Sequence, residues 1–422
     1  MANRFIIGEY QMKRAIIISL LTSLFFFILF DYVLSTTGRI YGTIHTDDDK
    51  VYKGWIRWDK NEAFWDDILD ATKKYETPHP VAKEKEKYIK IFGLRLSWSS
   101  EHEEEGEASA SMGIKFGHLE SIKVRSGHRA ALYLKNGTKV DVSSYGTDIG
   151  NSVRRIEVEG LDFGKLTLKW DDLEKVVFQK EPDKSPPVER ERLYGELTTR
   201  DNEVFRGFIT WDTDELFSTD ILDGEEHGKD WEIPFGNIKA IERRSRSSAR
   251  VYLKNGEELT LSGTNDVNSS INGIQLNDSE IGLIDVSWTN FDKVEFLEGG
   301  DQFLKSYDQF DGGKRLYGTV RDEDGEEYTG YITWDDDEKY AWEILNGKYH
   351  DLDMEIEFVN VKSIRKRAFW GAEVTLKNGK EFRLEDSNDV NEDNKGIFIE
   401  DEEGNEVEVE WEDFEEAEFF EK

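Results

Sequence analysis

The chain has 422 residues, 34% of them charged and 13% aromatic, with a formal net charge of −35 and no cysteine. So many aromatics exclude an acidic disordered chain, and the length leaves room for two to four domains, each with its own core. The lack of thiols excludes disulfides, thiolate catalysis and cysteine-ligated metals, and so negative a field repels phosphate backbones, which makes nucleic acid a poor partner.

Lys13 and Arg14 precede an uncharged run over residues 15–30 that Asp31 closes. A basic flank followed by an apolar core is the pattern of a signal peptide. Val33 and Ser35 are small enough for cleavage after Ser35. Extended through Leu34, residues 15–34 approach the roughly 20 residues that span hydrocarbon, so an uncleaved anchor is the alternative. Residues 1–38 are therefore expected to form one hydrophobic helix. It would export or tether the chain, leave the rest periplasmic or extracellular, and be its only membrane contact.

From residue 39 onward the spacing repeats. Tyr41-Gly42, Tyr194-Gly195 and Tyr317-Gly318 each lie seventeen residues before a Trp-Asp pair, Trp58-Asp59, Trp211-Asp212 and Trp334-Asp335. Ile68-Leu69, Ile221-Leu222 and Ile344-Leu345 follow ten residues after each tryptophan. Phe116, Phe235 and Phe358 then lead by eighteen residues to Leu-Lys-Asn-Gly, ending at Gly137, Gly256 and Gly379, and each segment closes with a tryptophan-led strand. Self-similarity of this kind predicts three tandem units of about 105 residues. They run over 39–180, 192–298 and 314–422, joined by a proline-containing linker at 181–191 and a glycine-containing, more pliant one at 299–313.

Alternating apolar residues and tight-turn signals make each unit all-β with little helix. The Asn-Gly steps predict type I′ hairpins, in which both residues have positive φ. Val409, Trp411, Phe414 and Ala417 match the spacing of Ile356, Phe358, Val361 and Ile364, which predicts two half-units of about fifty residues in each unit. The pattern fits closure as small barrels of the Sm-like or PRC-barrel type, an analogy of pattern alone, and equally fits a β-sandwich.

The first unit advances 47 positions from Leu69 to Phe116 where the others advance 13, so it carries an insertion at about 70–111. That loop holds Lys83, Lys85, Lys87 and Lys90, a strand-like stretch over 89–98, and an acidic run at 101–107.

No histidine occupies a position shared by all three units, and no nucleophile elbow, phosphate loop or dinucleotide fingerprint occurs. The function expected is a non-catalytic exported or membrane-anchored scaffold or binding protein, with a protein or glycan of the cell envelope as partner and no required cofactor. A carbohydrate- or cell-wall-binding module using exposed aromatics is the alternative, with Trp65 and Trp342 the candidate ligand contacts. A hydrolase sited at the first-unit insertion is the second alternative. Calcium is the one metal the composition invites, with Asp47, Asp49, Asp322 and Asp324 as weak candidates. About 21 of the net negative charges lie in residues 315–422.

Overall fold

The computed structural model describes residues 36–76, 88–91, 94–97, 107–144, 146–184, 186 and 190–422. The expected targeting helix, together with Lys83, Lys85, Lys87 and the acidic run from 101, lies outside the described residues. Within them are thirty-two strands and eight short 3-10 turns. No helix of the described residues is long and apolar enough to cross a membrane. The chain is all-β, as its alternation of apolar residues requires.

One ten-stranded antiparallel sheet occupies residues 41–178. Its centre is Leu173–Phe178, which pairs with Tyr41–Thr46 on one side and Leu119–Ser126 on the other. Beyond Tyr41–Thr46 come Val51–Trp58, Ile156–Gly160 and Gly164–Leu168. Beyond Leu119–Ser126 come Arg129–Leu134, Lys139–Ser143, Ile68–Glu76 and Glu107–Lys115. Each arm thus takes strands from both parts of the chain: Val51–Trp58 pairs with Ile156–Gly160, and Lys139–Ser143 pairs with Ile68–Glu76. The two expected half-units are interleaved, and neither closes on its own strands. The sheet curls back on itself, bringing Trp58, from the third strand of this order, within 6.0 Å of Phe116, just past the last.

A twenty-stranded sheet holds residues 194–419. Its strands over 194–296 follow the order just described, from Gly282–Val286 at one edge to Lys229–Pro234 at the other, and so do those over 317–419. The two sets join where Gly282–Val286 lies antiparallel to Leu352–Glu357, with Asp285 opposite Asp353.

The Tyr-Gly step has a steric origin. Gly42, Gly195 and Gly318 face Gly54, Gly207 and Gly330 across the opening hairpin. A Cβ on Gly318 would stand 2.1 Å from the Glu418 carbonyl oxygen, and one on Gly330 would stand 2.2 Å from that of Glu400. Only hydrogen fits between backbones so close.

The Leu-Lys-Asn-Gly hairpins correct the turn type expected. Gly137, Gly256 and Gly379 have φ near +90°, whereas the asparagines before them are not among the positive-φ residues. Gly379 N–H donates to Leu376 O at 2.9 Å, and Lys380 N–H donates to the Asn378 side chain at 2.9 Å. Each is a three-residue loop with one left-handed glycine, in which asparagine caps the turn through its carboxamide.

The insertion lengthens one hairpin: Ile68–Glu76 pairs with Glu107–Lys115 over nine positions, and between them Tyr88–Ile91 pairs with Leu94–Ser97. The second join is not a free tether. Over 299–313, Tyr307 OH donates to Leu119 O at 2.8 Å, Asn136 Nδ2 donates to Gly312 O at 2.8 Å, and Phe310 is buried with the core of residues 40–178.

Replacing Gly330 with alanine is expected to cost about 2 kcal/mol or more through backbone overpacking. Gly379→Ala, whose Cβ meets nothing within 4 Å, should cost about 1 kcal/mol from its positive φ alone. Chemical denaturation reads both, and equal losses would contradict the close-contact explanation.

Candidate functional site

The Trp-Asp pair ends a strand and starts a tight loop. In all three stretches the two residues after tryptophan have positive φ: Asp59 and Lys60, Asp212 and Thr213, Asp335 and Asp336. A glutamate closes the loop by bridging back to the tryptophan backbone, Glu62 to Trp58, Glu215 to Trp211 and Glu338 to Trp334. Aspartate suits the first of these positions because it tolerates left-handed backbone and its carboxylate hydrogen-bonds locally. Asp59 Oδ1 accepts from Arg154 N, Asp212 Oδ1 from Asn272 N at 2.6 Å, and Asp335 Oδ1 from Lys395 N at 2.6 Å.

The buried indole fixes a second loop beneath the first. Trp58, Trp211 and Trp334 donate from Nε1 to the carbonyl oxygens of Asp148, Asp266 and Asp389 at 2.8, 2.9 and 2.8 Å. The same aspartates accept from the backbone N–H of Asp70, Asp223 and Asn346 at 2.8, 2.7 and 2.6 Å. Each tryptophan therefore fills core volume while anchoring the loop that carries a buried carboxylate.

This geometry stacks carboxylates. Asp335, Glu338 and Asp389 are all buried and each offers an oxygen within 4.8 Å of the others; in the second stretch Asp212 and Glu215 group instead with Asp214, and the Asp389 counterpart Asp266 is not part of the set. In the first, the Arg154 guanidinium sits 3.1 Å from Asp59. Burial and the neighbouring Asp337 push Asp389 up to about 7, and burial with Asp214 pushes Glu215 up to about 10. Such a group remains charged only if a cation meets it.

Cations from elsewhere in the sequence meet carboxylates beside these groups. Lys73 Nζ donates to Asp337 O at 2.7 Å and pairs with Glu343 and with Asp337 Oδ2, the latter at 3.1 Å. Burial alone would lower the Lys73 pKa, but Asp337, Glu343 and Glu338 outweigh it and keep the ammonium charged. Lys115 Nζ lies 2.6 Å from Glu357 Oε2, and His118 Nε2 lies 3.2 Å from Oε1. Gly312 N–H donates to His118 Nδ1, so Nε2 carries the proton offered to Glu357. Burial pushes Glu357 up, yet Lys115 and His118 prevail and hold it at about 2. Toward the second stretch, Lys60 pairs with Asp214 at 3.2 Å, and Arg192 clamps Asp66 at 2.6 Å and Asp67 at 2.5 Å.

The aromatics chosen from sequence do not face solvent. Trp65 is 0% and Trp342 is 1% exposed. Trp65 packs 4.5 Å from the Tyr307 ring, and both indoles belong to the core of residues 40–178, so neither offers a face to a glycan. Their flanking sequence gave no warning, because the covering residues come from 307–310 and from other stretches. Among the described residues the most exposed large aromatics are instead Phe369 (58%) and Trp370 (57%), at the tip between Val361–Ala368 and Gly371–Leu376; Phe163, Phe303 and Phe420 are exposed singly elsewhere. An aromatic pair at a hairpin tip, where the corresponding positions are Gly127-His128 and Arg246-Ser247, was the signal available.

Asp47, Asp49, Asp322 and Asp324 lie in opening-hairpin turns. Asp322 accepts from Glu326 N at 2.9 Å and from Tyr328 OH at 3.2 Å, so it serves the turn. None of the four falls in a potential ligand cluster among the described residues. Compared with known families, with curated proteins and with solved structures, the chain matches none.

Because the Glu357 pKa is depressed on folding, its contribution is complete above the ordinary glutamate range near 4.5 and is lost as pH falls toward about 2. Denaturation midpoints measured from pH 6 down should show a shallower acid limb in Glu357→Gln, by on the order of 3 kcal/mol. An unchanged limb would show that Lys115 and His118 do not stabilise the carboxylate.

Proposed function

We propose that the chain is a non-catalytic, exported or membrane-anchored scaffold or binding protein made of three tandem copies of one β unit, at about 39–180, 192–298 and 314–422. One observation carries the reading. The same hydrogen-bond set, indole to aspartate carbonyl and aspartate carboxylate to strand N–H, recurs at Trp58/Asp148, Trp211/Asp266 and Trp334/Asp389 together with the same strand order. Three independent origins for one such set are far less economical than repetition.

A binding role is supported by how the perturbed groups are used. Asp66, Glu343 and Glu357 meet cations from another stretch, and His118 is held between Gly312 and Glu357. Among the described residues these groups are spent on contacts that hold the chain together. Export rests on the basic and apolar pattern of residues 13–34. The partner is a protein or glycan of the cell envelope, because the negative field disfavours nucleic acid and anionic lipid surfaces.

Carbohydrate binding remains as a second reading at a different place, favoured by exposed Phe369 and Trp370. Two exposed rings on a tight tip suit either a sugar face or a hydrophobic pocket.

Protease added to cells with a permeabilised outer layer is expected to digest the full chain while sparing cytosolic markers. A chain that stays intact among those markers would contradict export. Binding to envelope material should weaken at least tenfold in Phe369→Ser/Trp370→Ser. Undiminished binding would move the contact elsewhere.

A further inference from the structure

We propose that Asp335, Glu338 and Asp389 form a binding site for one calcium ion beneath the third Trp-Asp loop. The three carboxylates come from two loops that the Trp334 indole ties together through its 2.8 Å bond to Asp389 O. One oxygen of each lies within 4.8 Å of the others. A cation with oxygen ligands at 2.3–2.6 Å bridges oxygens up to about 5 Å apart, whereas the 2.0–2.1 Å bonds of magnesium call for a tighter set.

The second observation is Glu338 itself. Its residue is only 7% exposed, and its Oε2 is buried without a hydrogen-bond partner. Asp335 and Asp389 each accept backbone N–H bonds that fix their direction, from Lys395 and from Asn346. Lys73 spends its ion pairs on Asp337 and Glu343, and Lys395 approaches Asp337 at 3.8 Å. A buried carboxylate oxygen with no donor is costly, and a hard cation satisfies it where no protein donor does. The orphaned oxygen recurs on Glu62 and Glu215, so the third loop is set apart by its three buried carboxylates: in the first stretch the Arg154 guanidinium meets Asp59 and no comparable cluster forms among the described residues, and in the second Asp214 and Glu215 are only half-buried.

The site is tested by calorimetric titration of the full chain with calcium chloride at about 0.15 M salt, where diffuse attraction to surface carboxylates is screened beyond about 8 Å. The parent should show saturable sites, and Glu338→Gln should lose one of them while keeping its near-ultraviolet circular dichroism. Glu402→Gln, an exposed change, should lose none. An unchanged stoichiometry in folded Glu338→Gln would overturn the proposal. A second measurement needs no variant: calcium should raise the thermal midpoint of the parent relative to chelator by several degrees, and magnesium by less. Equal midpoints with calcium and with chelator would overturn it as well.

Discussion

A carboxylate taken out of water requires a counter-charge, a proton or a full complement of hydrogen bonds, and everything else in this structure is arranged around that requirement. With 90 acidic residues against 55 basic ones, cations are scarce. The chain places several of them against buried carboxylates and lets them reach across sequence. Lys73 and Lys115, from one hairpin, neutralise Asp337, Glu343 and Glu357 more than two hundred residues away. Arg192 performs the same service for Asp66 and Asp67, and its guanidinium also lies 4.2 Å from the centre of the Phe64 ring. Truncating one member of such a pair leaves the other charged and buried, so these contacts define which arrangement is tolerated even where they add little net stability.

Around those pairs the apolar packing supplies the stabilisation. Phe64 meets Phe217 at 5.5 Å with Ala63 and Leu216 beside them, so corresponding residues of two stretches face one another. Residues 194–296 and 317–419 are joined differently, by a shared sheet edge at Gly282–Val286 and Leu352–Glu357. The segment 299–313, between these two sets, crosses the core of residues 40–178 and fastens to it through Tyr307 and Phe310. If the three stretches are copies of one unit, their junctions have diverged while their interiors have not.

Much of the interior was legible. Trp-Asp, Tyr-Gly and Asn-Gly act within a few residues of themselves: a left-handed aspartate, a close backbone approach and a hairpin turn each leave a local trace. The matching glycines Gly54, Gly207 and Gly330 carry half of the Tyr-Gly contact and were readable in the same register. Strand order was not legible, because alternation marks a strand without naming its neighbour, and Val51–Trp58 finds its partner a hundred residues on, at Ile156–Gly160. Exposure of aromatics failed for the same reason. Trp65 and Trp342 look like surface residues until Tyr307 and the first core cover them. The Asp335–Glu338–Asp389 cluster combines a visible half, the Trp-Asp-x-x-Glu run, with an aspartate fifty residues downstream that no spacing rule ties to it.

Buried cations from the first stretch lock the described residues from 37 onward into one cooperative body. Hydrogen-exchange mass spectrometry of the full chain across a denaturant series tests it most directly. Amides in Glu107–Lys115 and in Leu352–Glu357, which carry Lys115 and Glu357, should lose protection at the same denaturant concentration, and Lys73→Met/Lys115→Met should separate them. Protection that is lost at different concentrations in the parent, or that stays coincident in the double variant, would contradict the account.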